Sequence, residues 1–226
     1  TFASKKKVIN IDNGTPVPDH LPEWIDLNLK NKIIRTHDIE ANKSIWIAVA
    51  RVVPLKDQRI LSDAMRHFPN KHLILIGPSG NEEYYKQIEQ SKGTNVTLAG
   101  RRENISDYLA VSELFLSASH HEGIPISVLE AAASGTPCAL SNIDGHNTLN
   151  SNNFYTFNIR DIKSLINALK TINSIDSEKK RLSFYKAVLE NYSAKKMFSL
   201  YHREYQEVLW LINWKVVTGL YLYLAH

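Results

Sequence analysis

From residue 44 to residue 140, short β-branched runs alternate with helix-length amphipathic stretches, which confines the chain to parallel-sheet architectures built from βαβ units. The predicted strands are IWIAVA (45–50), HLILIG (72–77), NVTLA (95–99), LFLSA (114–118) and PCAL (137–140). The helices predicted between them span 56–68, 82–90, 105–110 and 125–134. A strand with one wet face alternates apolar and polar residues, whereas these runs are almost unbroken in apolar character. Helices must therefore cover both faces, and the predicted fold is α/β, a doubly wound and mostly parallel Rossmann-like sheet.

Past residue 150 the strand signal thins, and 162–172, 177–190 and 194–211 read as successive helices that close the domain. At the other end, residues 5–11 are predicted to form a strand leading into the turn-rich DNGTPVPDHLP. The division expected from this pattern is a linker and first strand over 1–20, a Rossmann-like ligand-binding domain over 21–175, and C-terminal helices with an apolar tail over 176–226. The chain opens on Thr1 and not on methionine, so a partial or processed chain is expected.

Composition narrows the function. With 43% hydrophobic residues among 226 the chain can bury a substantial core, and its 27 basic against 23 acidic residues leave a net charge of only +4, scattered along the sequence. No basic stripe suggests a nucleic-acid partner. The single cysteine, Cys138, excludes an intrachain disulfide and fits a reducing compartment, with a small buried strand residue as its expected role. The tail VLWLINWKVVTGLYLYLA (208–225) is apolar, yet Asn213, Lys215 and Gly219 interrupt it at about the minimum membrane-spanning length of ~17 residues. A packed terminal helix is expected, and an interfacial role for Trp210, Trp214, Tyr221 and Tyr223 beside Lys215 stays open.

In such a sheet, ligands gather at the carboxyl ends of the strands. HHEGIPISVLEAAASG (120–135) follows one predicted strand and enters a helix, with Pro125 suited to its first position and Gly135 to its C-terminal cap. Amides near Gly123 and Ile124 would then form an anion site at the helix N-terminus. Glu122 stands just before that helix, where it could contact a ligand or simply complement the dipole. Glu130 sits inside the apolar stretch PISVLEAAAS, where a carboxylate needs hydroxyl or amide donors; a ribose diol, a neighbouring protein group or water would each supply them. In VARVVPLKDQ (49–58), Arg51 and Lys56 flank a proline turn and could converge on a diphosphate or stand solvated. Gly100, Arg101 and Arg102 could likewise line a base or phosphate pocket or be solvated. His120 and His121 are adjacent, without a metal-ligand pattern around them, and no Asp-x-Asp pair is present, so a metal-free site is expected.

Taken together, SASHHEGIPISVLEAAASGTP, AVARVVPLKDQ and NVTLAGRRENISDYLAVSELFLSAS resemble, in order and spacing, the C-terminal domain of family-4 or group 1 retaining glycosyltransferases of the GT-B fold. The resemblance runs from about residue 13 to residue 169. It implies that Arg51 and Lys56 neutralise a donor diphosphate, that Glu122 contacts the transferred sugar, and that Gly123, Ile124 and Pro125 place backbone against sugar and phosphate. It also implies that Glu130 grips the ribose, with Gly100 and Arg101 assigned to donor binding. The mechanism implied is front-face attack through an ion-pair-like transition state, with the departing diphosphate helping to deprotonate the acceptor. A nucleotide-sugar donor, a sugar or lipid-linked acceptor held mainly by a separate N-terminal domain, no cofactor, and a cytoplasmic location at the inner face of a membrane with peripheral association follow from the same resemblance. A nucleotide-sugar epimerase half and a non-catalytic nucleotide-sugar-binding module are the alternatives. Two departures stand out: Asp57 occupies a position where glycine is common in the family, and SNIDGHNTL lacks a glutamate frequent near that turn, so no role passes to Asp144 or His146.

Overall fold

The computed structural model describes residues 9–21, 27–172 and 174–224, and the side chains of 9–21, 27–172 and 176–210. Its centre is a six-stranded, fully parallel sheet in the order β3-β2-β1-β4-β5-β6. The strands are β1 (Ser44–Val49), β2 (Lys71–Ile76), β3 (Val96–Gly100), β4 (Leu114–Ser117), β5 (Cys138–Ser141) and β6 (Tyr155–Phe157). This is the Rossmann order, whose direction of winding reverses between β1 and β4 and leaves a crevice at their carboxyl ends.

The unbroken apolar runs are explained by their alternate residues entering two separate cores. Ile45 and Ile47 of β1 join Ile74, Ile76, Phe115 and Leu140 on one face, whereas Trp46 and Ala48 join Leu73, Leu75 and Leu116 on the other. The first core is closed by α1 (Leu27–Thr36), α4 (Ile105–Leu109), α5 (Ile126–Ala133) and α8 (Ser174–Asn191). The second is closed by α2 (Gln58–Ala64), α3 (Glu82–Ser91) and α7 (Ile162–Lys170). Each fully buried large side chain, such as Phe115 or Leu61, contributes about 1.5–3 kcal/mol of hydrophobic stabilisation.

Several predicted boundaries differ from those observed. The predicted 56–68 helix is a 3-10 turn (Pro54–Lys56), then α2, then a second 3-10 turn (Met65–His67), because Asp57 adopts left-handed geometry and interrupts the helix. Pro125 is the N-cap of α5 and not its first helical residue, with an extended ψ of 111°. Gly135 terminates that helix at φ +72°, as expected, and its carbonyl accepts a 2.9 Å bond from the buried Arg181 of α8. The helix α1 was not anticipated, and neither was β6, a three-residue edge strand. Between β5 and β6 lies the short helix α6 (Asp144–Asn147).

Residues 9–11 are not in a strand, and 5–8 lie outside the described residues. Instead, the 10–18 segment runs as a strap that is pinned where α8 meets the helix after it. Thr15 donates to the Tyr192 carbonyl at 2.9 Å and accepts from Ala194 at 2.8 Å, where α8 meets the last helix, α9 (Ala194–Leu224). The predicted 194–211 helix thus extends further than its sequence pattern indicated. Among the described residues no helix is long and apolar enough to cross a membrane. The side chains of Trp214, Lys215, Tyr221 and Tyr223 lie outside the described residues.

Candidate active site

The crevice between β1 and β4 is built by the two loops that leave those strands. After β1 the chain turns through Pro54–Lys56, and after β4 it passes through Ser119 and His120 to Glu122. The Lys56 ammonium and the Glu122 Oε1 meet in a close, charge-assisted hydrogen bond, with the two side chains 20% and 16% exposed. Sixty-six residues separate them in sequence, and the strand order alone brings them together. The same Oε1 accepts from the Ser119 hydroxyl at 2.7 Å.

Behind Glu122 stands a buried polar layer. Ser141 Oγ donates to the Ser119 carbonyl at 2.6 Å, and His146 Nδ1 donates to the Ser141 carbonyl at 2.8 Å. The Ser117 hydroxyl lies 3.3 Å from Ser119 Oγ and 3.4 Å from His146 Nε2. Burial lowers the His146 pKa below its ordinary value, with nearby Lys56 acting in the same direction; the Ser141 carbonyl and the Glu122 charge oppose it. The ring is therefore a neutral support for the Glu122 loop.

Glu122, Gly123 and Ile124 form one wall of a cavity of about 530 Å³, faced by Asp144 and Gly145 of α6 and by the strap residues Asn10–Asn13. The N-terminus of α5 opens beside this cavity, and the amides of Ile126 and Ser127 head the helix without intrahelical partners. A second cavity, of about 610 Å³, lies along α5 and is lined by Glu130, Glu103, Ser106, Leu109, Thr15 and Val17. Burial holds the Glu130 carboxyl above its usual range, as expected for an acid set among apolar helix residues.

The sequence-derived residues thus fall into three groups. Lys56, Glu122, Gly123 and Ile124 come together, with Pro125 buried directly behind them as the cap of α5. Glu130 opens onto the neighbouring cavity. Arg51, Gly100 and Arg101 lie at the carboxyl edge of β1 and β3; both arginines are exposed, and Gly100 takes φ +68° at the end of its strand. Arg102 reaches back, its Nε donating to the Tyr108 hydroxyl at 3.2 Å. His121 is exposed, and His120 is paired with Asp57.

Sequence reasoning missed Ser117, Ser119, Gly145 and His146. The two serines carried a usable signal, since residues two apart at a strand end point to the same face. Gly145 and His146 carried none, because their positions depend on how α6 packs across β5.

Comparison with known proteins places these features in a family context. The profile of the family described as glycosyl transferases group 1 matches residues 30–188. The chain is 28% identical over 179 residues to UDP-Gal:alpha-D-GlcNAc-diphosphoundecaprenol alpha-1,3-galactosyltransferase of Escherichia coli, an alignment covering 74% of this chain and 46% of that enzyme. It is 24% identical over 208 residues to N,N'-diacetylbacillosaminyl-diphospho-undecaprenol alpha-1,3-N-acetylgalactosaminyltransferase of Campylobacter jejuni, covering 86% and 54%. Among solved structures, a glycosyltransferase from Rickettsia africae superposes with a TM-score of 0.78 at 17% identity, covering 88% of this chain and 56% of that one. Alr3699/HepE of Anabaena, crystallised with UDP and glucose, gives 0.74 at 19%, covering 81% and 53%. These likenesses make the fold one Rossmann-like half of a GT-B architecture. The chain spans about half the length of the curated relatives it matches.

Proposed function

Because the chain belongs to the group 1 glycosyl transferases, we propose that the Glu122 cavity and the Glu130 cavity are the two ends of a single nucleotide-diphospho-sugar site in a retaining glycosyltransferase. The observation that carries this reading is the meeting of Lys56 and Glu122 beside the N-terminus of α5. Glu130 lies four residues beyond Ile126, about 6 Å along the helix, a separation that two linked phosphates bridge. The nucleoside then lies in the Glu130 cavity, where its ribose diol supplies the hydrogen-bond donors that a desolvated carboxylate lacks. The diphosphate passes the helix N-terminus, and the sugar occupies the Glu122 cavity with its hydroxyls against that carboxylate.

Transfer breaks the bond between the anomeric carbon and the diphosphate while an acceptor hydroxyl oxygen bonds to that carbon on the same face; negative charge grows on the departing phosphate oxygen, which takes up the hydroxyl proton. Lys56 and the α5 amides stabilise that charge more in the transition state than in the bound donor, which is what accelerates the step. Arg51, at the edge of the same loop, adds a forked donor to the diphosphate, and Gly100 and Arg101 border the base. Residues 21–175 act in this reading as the main donor-binding unit, with the 10–18 strap lining both cavities and α8 packing against one core. An N-terminal domain outside this chain supplies the acceptor groove.

The acceptor is proposed to be lipid-linked, which the diphosphoundecaprenol in the names of the two enzymatic relatives supports, and to be met at the cytoplasmic face of a membrane with which the protein associates peripherally. A thermal-shift panel of UDP, GDP and ADP and their sugar conjugates tests the donor assignment. One nucleoside diphosphate series should raise the melting temperature with increasing concentration, whereas no shift with any of them contradicts the reading.

A further inference from the structure

Asp57 and His120 touch neither cavity wall, yet they meet across the crevice. Asp57 follows the Pro54–Lys56 turn with φ 44° and ψ 45°, a left-handed geometry that glycine adopts most easily and that Asp tolerates better than most residues with a β-carbon. It occupies the N-cap of α2, but its side chain caps no helix amide. Its Oδ2 instead accepts from His120 Nε2 at 2.9 Å, with the two side chains only 18% and 16% exposed. On the far side of the ring, Nδ1 lies 3.5 Å from an Arg160 guanidinium nitrogen, so His120 sits between Asp57 and Arg160. The main-chain N–H of His120 also donates to the Leu55 carbonyl at 2.9 Å.

His120 therefore grips residues 55 and 57, the two neighbours of Lys56, and stands two residues before Glu122, the partner of Lys56. A lysine carries a long flexible stem whose ammonium is ordinarily free to wander. With the loop fixed on both flanks, its attachment point is set relative to Glu122 before any ligand arrives.

We infer that Asp57 and His120 are positioning residues that hold Lys56 against Glu122, and that the left-handed turn at Asp57 serves to aim its carboxylate at His120. The inference rests on the reading of Lys56 as the diphosphate-binding cation, but its structural half can be tested without a ligand. Asp57→Gly removes the bond to His120 while supplying the residue best suited to left-handed geometry.

The experiment measures the coupling between Lys56 and Glu122 by a double-mutant cycle of Lys56→Met and Glu122→Gln in denaturant unfolding, in the native and the Asp57→Gly backgrounds. The melting temperature of Asp57→Gly should equal or exceed that of the native chain, while the coupling falls to roughly half or less. Asp57→Asn, which keeps an oxygen acceptor for His120, should restore most of it. Calorimetry with UDP, GDP and ADP should show a loss of about threefold to tenfold for the diphosphate that binds, with the matching nucleoside unchanged. Undiminished coupling in the Asp57→Gly background overturns the inference, as does equal loss for nucleoside and diphosphate. If the native chain binds none of the three diphosphates while the coupling still collapses, the pair positions Lys56 as inferred and the donor reading is what fails.

Discussion

Gly145 packs its α-carbon against the backbone of Glu122, so closely that a β-carbon at position 145 would stand 2.3 Å from the Glu122 carbonyl oxygen and 2.4 Å from that of Gly123. Both obstacles are main chain and cannot rotate away. Gly145→Ala should therefore displace the loop that presents Glu122, destabilising the fold by about 1–3 kcal/mol and weakening sugar-nucleotide binding more than binding of the free nucleoside. Denaturant unfolding and calorimetry on the same preparation check this; a variant of native stability and affinity refutes the contact.

Glu130 gives a prediction in pH. Burial raises its carboxyl pKa above the ordinary 4.5. The stabilising contribution of the protonated form is thus complete below the unfolded value and is lost as pH rises through the raised folded value, so the ionised group opposes folding near neutrality. Glu130→Gln should raise the melting temperature at about pH 7, and the gain should disappear by about pH 4. A gain of equal size at both pH values would show that ionisation is not its source.

The ribose assignment predicts the opposite sign for binding at the same position. Glu130→Ala should weaken nucleoside diphosphate binding by about 1–3 kcal/mol, and the bare nucleoside by a similar amount. Calorimetric titration reads both, and unchanged affinity counts against a ribose contact.

Cys138 lies fully buried on β5, where desolvation pushes its thiol well above the usual range. An aromatic disulfide reagent should label it only as fast as the sheet opens, so stabilising the protein should slow labelling in proportion. Rapid labelling of the native chain would place β5 outside the stable core.

Much of this was legible in the sequence, for identifiable reasons. The runs 45–50, 72–77, 95–99, 114–118 and 137–140 are apolar on both faces and became β1 to β5 with small shifts at their ends. β6 was missed because YTF holds only three residues among asparagine-rich turns, too few to show a period. Local cues placed Lys56, Glu122 and the start of α5 individually, and motif order suggested that they act together. What no local pattern carried was the Asp57 to His120 bond, the His146 to Ser141 bond and the close approach of Gly145, since each joins segments that meet only after the sheet has assembled.

Lys56 provides the sharpest separation of roles. Lys56→Ala should cost about tenfold or more in affinity for a nucleoside diphosphate and little for the nucleoside, because only the former presents charge to an ammonium. Equal losses for both would mean that Lys56 acts through folding.

In the proposed site Lys56, Glu122, the α5 N-terminus and Glu130 clasp one ligand. Titration of the isotopically labelled chain with UDP, GDP and ADP, followed through backbone amide resonances, reads whether they do. For the diphosphate that binds, the amides of Lys56, Gly123, Ile124 and Glu130 should shift together along one saturation curve, with or without EDTA. Shifts of the Gly123 and Glu130 amides at different ligand concentrations, or shifts confined to residues outside both cavities, would contradict that arrangement.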